Sequence, residues 1–335
     1  MNIYVISPNK IWGGAATANI AIAQMLSKGN TVYYNDEYFK VETEGVVYDD
    51  YPTHRTKDSA KLVEYLLSKK IDVVIWGIAM NLPFFRCATK ELHKSGVKQA
   101  VIFHSLAIVN TFKGKLMEWL ITRSLKYIDH LVFVSEYTDV SWSKYRGVRC
   151  HKNHHTLYNP AVPVNTKIEK SQVCNRIGFV GRFSTEKQPA IFAELSNADK
   201  DNKYIAWGDG PLLNELKPIY RQVEFKGQGN CHKEIYSSFD ILVMTSKFEN
   251  CPMVILESRK YGIPCVVPKV GGIPEIVKDS YDGVLYTEYS SKSIHECIEK
   301  IQREYDKYSN NCIESVKRFS FDVLYERWMN MLNNK

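Results

Sequence analysis

Apolar and polar positions along this chain follow two alternating rhythms. Short apolar runs of strand length recur near 2–7, 30–35, 72–76, 99–103, 130–134 and 155–158. Between them lie longer stretches with apolar residues every three or four positions, at 15–28, 57–70, 83–95, 110–128 and 136–145. The first rhythm reads as strand and the second as helix. Their alternation predicts βαβ units and a mostly parallel sheet.

The rhythm breaks at Asn159-Pro160-Ala161-Val162-Pro163, and a polar stretch runs from Asn165 to Asn175. Two prolines in five residues cannot continue regular structure. A second series then starts, with strands expected near 176–180, 203–207, 222–225, 240–244, 264–267 and 283–286. Its helices are expected near 187–197, 211–219, 231–237, 253–261, 273–278 and 290–305. The last segment, 320–333, spaces Phe321, Leu324, Tyr325, Trp328 and Met329 as a helix does, and that aromatic face needs something to pack on. The expected fold is α/β, with two Rossmann-like domains in tandem. Such a pair places a cleft between the C-terminal edges of its strands, where loops and helix N-termini converge on ligands.

Composition narrows the class. A length of 335 residues suits two domains, and 44% hydrophobic with 24% charged residues is ordinary for a globular core. No apolar run reaches the roughly 18 residues of a membrane span. Met1 to Pro8 is apolar but short and lacks a basic start, so it reads as a first strand rather than a signal peptide. Eight scattered cysteines without a C-x-x-C pair read as reduced thiols. A cytoplasmic protein is the expectation. The net charge of +7 is uneven: residues 1–165 hold 20 Lys and Arg against 14 Asp and Glu, and residues 166–335 hold 24 against 23. An anionic partner is therefore expected for the first half.

The second series carries the chemistry. Ile177-Gly178-Phe179-Val180-Gly181-Arg182 ends a strand in a glycine, and Lys187 precedes the next helix. Gly181 lets backbone approach a ligand closely, and two cations beside a helix N-terminus suit a diphosphate. Taken alone, the same two residues fit an ordinary solvated loop equally well. Trp207-Gly208-Asp209-Gly210-Pro211 is strand, turn and a helix opening on Pro, with room at Gly208 for a nucleotide. Asp240 to Met244 is a strand whose following loop carries Glu249, and Pro252 opens a helix carrying Glu257. Glu257 sits among apolar residues, where an unpaired carboxylate is costly, and a pair of ribose hydroxyls would satisfy it. On spacing alone two such glutamates are more often coincidence.

A third loop, Lys269-Val270-Gly271-Gly272-Ile273-Pro274-Glu275, repeats the pattern. In the first half Ile11-Trp12-Gly13-Gly14 follows strand one and offers amides at a helix start. No G-x-G-x-x-G with an acidic partner is present, which disfavours a nicotinamide dehydrogenase, and no P-loop sequence supports a common kinase or ATPase.

Assembled, these motifs resemble glycosyltransferase family 4, retaining enzymes of the GT-B fold in bacterial polysaccharide biosynthesis. The likeness covers nearly the whole chain and rests on Gly178 to Arg182 with Lys187, Gly208-Asp209-Gly210-Pro211, the pair Glu249 and Glu257, and Gly271 to Glu275. It implies domains at 1–162 with 320–335, the last helix crossing back, and at 163–319. It implies a nucleotide-sugar donor, UDP-sugar by default, with no metal or other cofactor, and a lipid-linked or oligosaccharide acceptor in surface polysaccharide or lipopolysaccharide assembly. By the same likeness Arg182 and Lys187 bind the donor diphosphate, Glu257 holds the ribose and Glu249 lies near the donor sugar. Gly13 and Gly14 border the phosphates, and His104 faces the donor sugar or reacting centre. Relatives often have Gly after the first Glu where this chain has Asn250. Asn tolerates left-handed backbone, so the loop is expected to keep its shape, with the Asn250 side chain able to touch the sugar.

Between 86 and 126 the chain has eight cations and two acids, among them Arg86, Lys90, Lys94, Lys98, Lys113 and Lys115. This set reads as a surface meeting anionic lipid on the inner membrane face, although a charge run is usually a solvated helix face. No aromatic-interleaved basic stripe points to nucleic acid. Cys150-His151-Lys152-Asn153-His154-His155 fits no standard zinc spacing and reads as surface loop. Two rival readings remain: a sugar-nucleotide 2-epimerase, which needs no acceptor, and a non-catalytic sugar-nucleotide or glycan-binding protein.

Overall fold

The computed structural model describes residues 1–7, 13–53, 58–107, 111–163, 174–229 and 231–334, the side chains of Lys113, Glu118 and Ala198 excepted. The chain divides into two compact units, Met1–Pro160 with Phe321–Lys335, and Ala161–Ser320. Each is a parallel sheet wrapped by helices, the architecture the alternating pattern requires.

The first unit has strands β1 (Asn2–Ile6), β2 (Thr31–Asn35), β3 (Val46–Asp49), β4 (Val73–Trp76), β5 (Lys98–Phe103), β6 (His130–Phe133) and β7 (His154–Thr156). Their order across the sheet is β3-β2-β1-β4-β5-β6-β7. Its helices are α1 (Gly14–Leu26), α2 (Ser59–Ser68), α3 (Arg86–Lys94), α4 (Phe112–Leu125), α5 (Glu136–Trp142) and α6 (Arg146–Arg149). Side-chain caps start several of them: Asp58 accepts from the amides of Ala60 and Lys61, Thr111 from Gly114 and Ser135 from Thr138. Trp76, Phe103, Phe133 and Trp142 fill the core between sheet and helices.

The second unit has strands β8 (Arg176–Val180), β9 (Lys203–Trp207), β10 (Val223–Gly227), β11 (Ile241–Val243), β12 (Cys265–Pro268) and β13 (Gly283–Tyr286), ordered β10-β9-β8-β11-β12-β13. Its helices are α7 (Pro189–Ala198), α8 (Leu213–Leu216), α9 (His232–Ser237), α10 (Met253–Lys260), α11 (Ile273–Ile276), α12 (Ser291–Arg303) and α13 (Tyr305–Val316). A fully buried ion pair locks α10 in place: Arg259 donates to Asp282 at 2.5 Å and to the Ile276 carbonyl. The last helix, α14 (Phe321–Asn333), packs on α1 in the first unit, burying Leu324, Trp328, Met331 and Leu332. That contact gives its apolar face the partner its spacing demands.

One expected surface cation is elsewhere. Lys98 does not continue the helix of Arg86, Lys90 and Lys94. The helix stops at Lys94, the chain turns at Gly96 with φ 77°, and Lys98 opens β5. Its ammonium donates to the Leu332 carbonyl at 2.8 Å, so its charge is spent on the C-terminal end of α14.

Candidate functional site

In the second unit the strand order reverses between β8 and β11. At such a switch point the loops leaving two neighbouring strands part, and a crevice opens at the strand ends. The loops concerned are 181–188 after β8 and 244–252 after β11, the segments that carry Arg182, Lys187, Glu249 and Asn250.

The two loops are stitched together. The Thr245 hydroxyl lies 2.9 Å from the carbonyls of both Lys187 and Gln188 and donates to them. The Lys247 amide donates to the Glu186 carbonyl at 2.8 Å. These bonds hold Gln188 at φ 48°, a left-handed turn that aims the chain into Pro189 at the start of α7. Across the seam the Lys187 ammonium donates to Glu249 Oε1 at 2.5 Å, and the Ser246 hydroxyl donates to the same oxygen at 2.8 Å. Lys187 is 30% exposed and Glu249 9%, so this attraction is screened less than a surface pair's.

Two glycines make that geometry attainable. A side chain at Gly271, at φ 57°, would place its Cβ 1.8 Å from the Glu249 carbonyl oxygen. With glycine there, the double-glycine loop lies on the Glu249 backbone, and the Gly272 amide donates to that carbonyl at 3.0 Å. A Cβ at Gly208, at φ 132°, would fall 1.9 Å from the Gly181 carbonyl oxygen. Gly208 therefore serves backbone packing of the β9 loop on the β8 loop. At Gly181 a Cβ would meet only the Phe179 ring, at 3.6 Å, so no described protein atom demands glycine there.

Arg182 is exposed on the β8 loop, and no described carboxylate forms an ion pair with it. It nonetheless acts on Glu186. Burial would raise that carboxyl, but hydrogen bonds from its own amide and from Ser184, with the charges of Lys187 and Arg182, hold it below the ordinary range. Glu257 is buried on α10 and accepts from the Tyr236 hydroxyl of α9 at 2.6 Å. Burial, then the Glu257 charge, drives the Tyr236 phenol well above its usual value, so it stays a donor. Tyr236 stacks on Tyr261, with ring centroids 5.6 Å apart. Burial pushes the neighbouring Lys260 down to about 8, with Glu257 opposing.

Asn250 is partly buried beside Glu249, and its backbone is not left-handed: the non-glycine residues at positive φ among those described are Lys70, Gln188 and Ser280. The expected role for a left-handed-tolerant residue is thereby corrected. The loop needs no glycine at 250, because Gly271 and Gly272 supply the close approach from the other side.

In the first unit the order reverses between β1 and β4. Gly13 caps α1 in extended backbone, and none of the described residues lies within 4 Å of a Cβ built at Gly13 or Gly14. Ile11 and Trp12 of that loop lie outside the described residues. His104 follows β5 and sits 2.8 Å through Nε2 from Asn19 Oδ1. The Asn19 amide nitrogen donates to the Ser7 hydroxyl at 2.8 Å and to the Gly77 carbonyl at 3.0 Å. That leaves its oxygen as acceptor, so the proton of neutral His104 resides on Nε2. Burial pushes the His104 imidazole down to about 4.

Sequence reasoning missed Asn19, Ser246 and Tyr236. The signal for Asn19 was present: one amide amid Ala15 to Ala23, a run otherwise of small and apolar residues and one Thr, must find a buried partner. The histidines near 150 are held by local bonds. His151 meets the Ile128 carbonyl, His154 meets Asp139 and the Val148 carbonyl, and His155 meets His130.

Residues 165–319 match the family model described as glycosyl transferases group 1. An Escherichia coli protein named UDP-Gal:alpha-D-GlcNAc-diphosphoundecaprenol alpha-1,3-galactosyltransferase is 31% identical over 145 residues, 38% of this chain and 38% of its own length. A Campylobacter jejuni protein named GalNAc-alpha-(1->4)-GalNAc-alpha-(1->3)-diNAcBac-PP-undecaprenol alpha-1,4-N-acetyl-D-galactosaminyltransferase is 23% identical across 96% of this chain and 95% of its own. The chain thus spans well under half of the E. coli relative it matches and nearly all of the Campylobacter one. Among solved structures, Anabaena HepE in complex with UDP superposes with a TM-score of 0.77 at 16% identity, over 99% of both chains. The pneumococcal O-GlcNAc transferase GtfA, in complex with UDP and GlcNAc, gives 0.76 at 12% identity over 99% of this chain and 98% of that one. At such identities these two show a shared fold.

Proposed function

We propose that this chain, whose residues 165–319 match the group 1 glycosyl transferase model, is a member of that family and moves a sugar from a UDP-sugar, with retention, to a hydroxyl of a lipid-linked or oligosaccharide acceptor in surface polysaccharide assembly. The observation that carries this reading is the switch-point cluster: Lys187 held against Glu249 and Ser246, with Arg182 on the same loop and Glu257 on the adjoining helix.

The chemistry follows from charge. Breaking the bond between the anomeric carbon and the β-phosphate oxygen sends its electron pair to the diphosphate and leaves an oxocarbenium-like sugar. Fixed cations facing that developing anion lower the barrier most. Arg182, which forms no ion pair with a described carboxylate, and Lys187, drawn from Glu249 toward the phosphates, supply them. Glu249 is then released to accept from hydroxyls of the donor sugar. Glu257 accepts from the ribose, with Tyr236 holding its other oxygen in line. The acceptor oxygen bonds to the anomeric carbon on the leaving-group face, and its proton passes to a β-phosphate oxygen. Gly13 and Gly14 are assigned to the donor phosphates, and neutral His104 to the donor sugar.

The name of the E. coli relative supports the UDP-linked donor, and the names of the E. coli and Campylobacter relatives both support an undecaprenyl diphosphate-linked acceptor. A donor screen tests the proposal. Each nucleotide sugar is incubated with the protein, and free UDP is measured with and without a polyprenyl diphosphate-linked saccharide. UDP release that requires acceptor supports transfer. Conversion of the donor without acceptor would make it an epimerase, and tight UDP binding with no turnover would make it a binding protein.

A further inference from the structure

Helix α1 carries one wholly buried amide, Asn19, and both ends of that amide are engaged. Its nitrogen spends its two protons on the ends of neighbouring strands. One goes to the Ser7 hydroxyl after β1 at 2.8 Å, the other to the Gly77 carbonyl after β4 at 3.0 Å. Its oxygen accepts from Nε2 of His104, which follows β5, at 2.8 Å. One side chain thus ties the ends of three adjacent strands, β1, β4 and β5, where the strand order reverses.

The amide cannot be turned round. A carbonyl oxygen only accepts, so the atom beside Gly77 is the nitrogen. Gly77 is what admits it: a Cβ there would lie 2.4 Å from Asn19 Nδ2. Joining β1 to β4 needs that nitrogen alone. The oxygen goes instead to a half-buried, titratable ring at the strand ends, next to exposed Ser105. With Nε2 protonated, the neutral ring keeps Nδ1 as an acceptor only. Burial holds the ring neutral by pushing the imidazole down to about 4.

Building on the transferase reading and the place given there to His104, we propose that Asn19 is a positioning residue for sugar transfer, holding His104 so that its Nδ1 accepts a hydrogen bond from a hydroxyl of the donor sugar. The donor then presents an O–H to Nδ1, as a hexose or an N-acetylhexosamine does. A carboxylate at that position would set two acceptors face to face and leave both unsatisfied. A site built to pair a substrate hydroxyl discriminates strongly against the analogue that lacks it.

Kinetics of the full chain test both parts. UDP release is measured with UDP-glucose, UDP-galactose and UDP-N-acetylglucosamine, with a polyprenyl diphosphate-linked saccharide as acceptor. Asn19→Leu should lower kcat/KM for the donor about tenfold or more in the parent, but less than about twofold in a His104→Phe background, because Asn19 acts through that ring. A merely structural Asn19 costs the same in both. Donors with one sugar hydroxyl at a time replaced by fluorine, which cannot donate, follow. One of them should lose about tenfold with the parent and less than about twofold with His104→Phe. Circular dichroism checks folding, and if Asn19→Leu does not fold, Asn19→Asp decides. Its carboxylate still accepts from Nε2 but raises the His104 pKa. Below the raised value Nδ1 carries a proton and donates, so kcat/KM should fall as pH drops. Over the same range the parent, with His104 neutral down to about 4, should hold steady. Equal losses from Asn19→Leu in both backgrounds, fluorine penalties that ignore His104, or an Asn19→Asp profile that superimposes on the parent's would each overturn the proposal while leaving transfer intact. A parent that turns over none of these donors would overturn the transferase reading and the role of Asn19 with it.

Discussion

Replacing Gly271 by alanine would set a methyl group 1.8 Å from the Glu249 carbonyl oxygen. A carbon and an oxygen need roughly 3 Å or more, so one of the two loops must move by more than about 1 Å. Three costs add. The left-handed backbone at φ 57° costs a non-glycine residue about 1 kcal/mol. Separation of the loops breaks the bond from the Gly272 amide to Glu249, about another 1 kcal/mol. Residual overlap in a packed seam adds about 1 kcal/mol. The total of about 3 kcal/mol corresponds to about 6–12 °C in Tm for a unit of this size. Calorimetry of the parent, Gly271→Ala and Gly13→Ala measures it. Gly13 is extended and has none of the described residues within 4 Å of a built Cβ, so its change should fall within about 0.5 kcal/mol of the parent. Acceptor-dependent turnover should drop with Gly271→Ala, because it moves Glu249 away from the position assigned to it beside the donor sugar. A Tm within about 1 °C of the parent together with unchanged turnover would refute the claim that the double-glycine loop sets the Glu249 position.

The remaining expectations are briefer. Arg182→Ala and Lys187→Ala should each lower kcat by about tenfold or more, some 1.4 kcal/mol of barrier, and a smaller loss counts against the cationic role of that residue. Asp282→Ala leaves Arg259 buried and unpaired and should destabilise the second unit by about 3–5 kcal/mol in denaturant unfolding. Burial lowers both His104 and His130 from 6.5 to about 4, so the unfolded chain binds more protons between those values. Stability is then fully present above 6.5 and falls as pH drops toward about 4, by up to about 1.4 kcal/mol per pH unit for each histidine, and His104→Gln should flatten that slope. Turnover should persist in a chelator such as EDTA if the two cations carry the leaving-group charge, and its complete loss, restored by Mg²⁺, would contradict that.

The strand and helix rhythm made both sheets legible, because a strand such as Val73–Trp76 is apolar at every position and announces itself. Elements held by tertiary packing were not legible. β3, Val46–Asp49, is a short edge strand with an exposed valine, and its run is too brief to stand out. α13 carries Ser309, Asn310 and Asn311, poor helix formers, and exists because it packs along α10. Within the candidate site, Arg182, Lys187, Glu249 and Glu257 could be singled out as residues. Their bonds could not: Lys187 and Glu249 are 62 positions apart, and only the adjacency of β8 and β11 brings their loops together. The backbone approach of Gly271 to Glu249 and the fixed tautomer of His104 likewise depend on where strands fall in a sheet.

The account depends most on where a nucleotide diphosphate settles, and a crystal structure of the full chain soaked with UDP measures that directly. The expected result is a diphosphate against the Arg182 guanidinium and the Lys187 ammonium, with Lys187 drawn off Glu249, and a ribose whose hydroxyls donate to Glu257. UDP bound away from the loops after β8 and β11, or a Lys187–Glu249 pair left intact beside bound UDP with Arg182 turned to solvent, would contradict it.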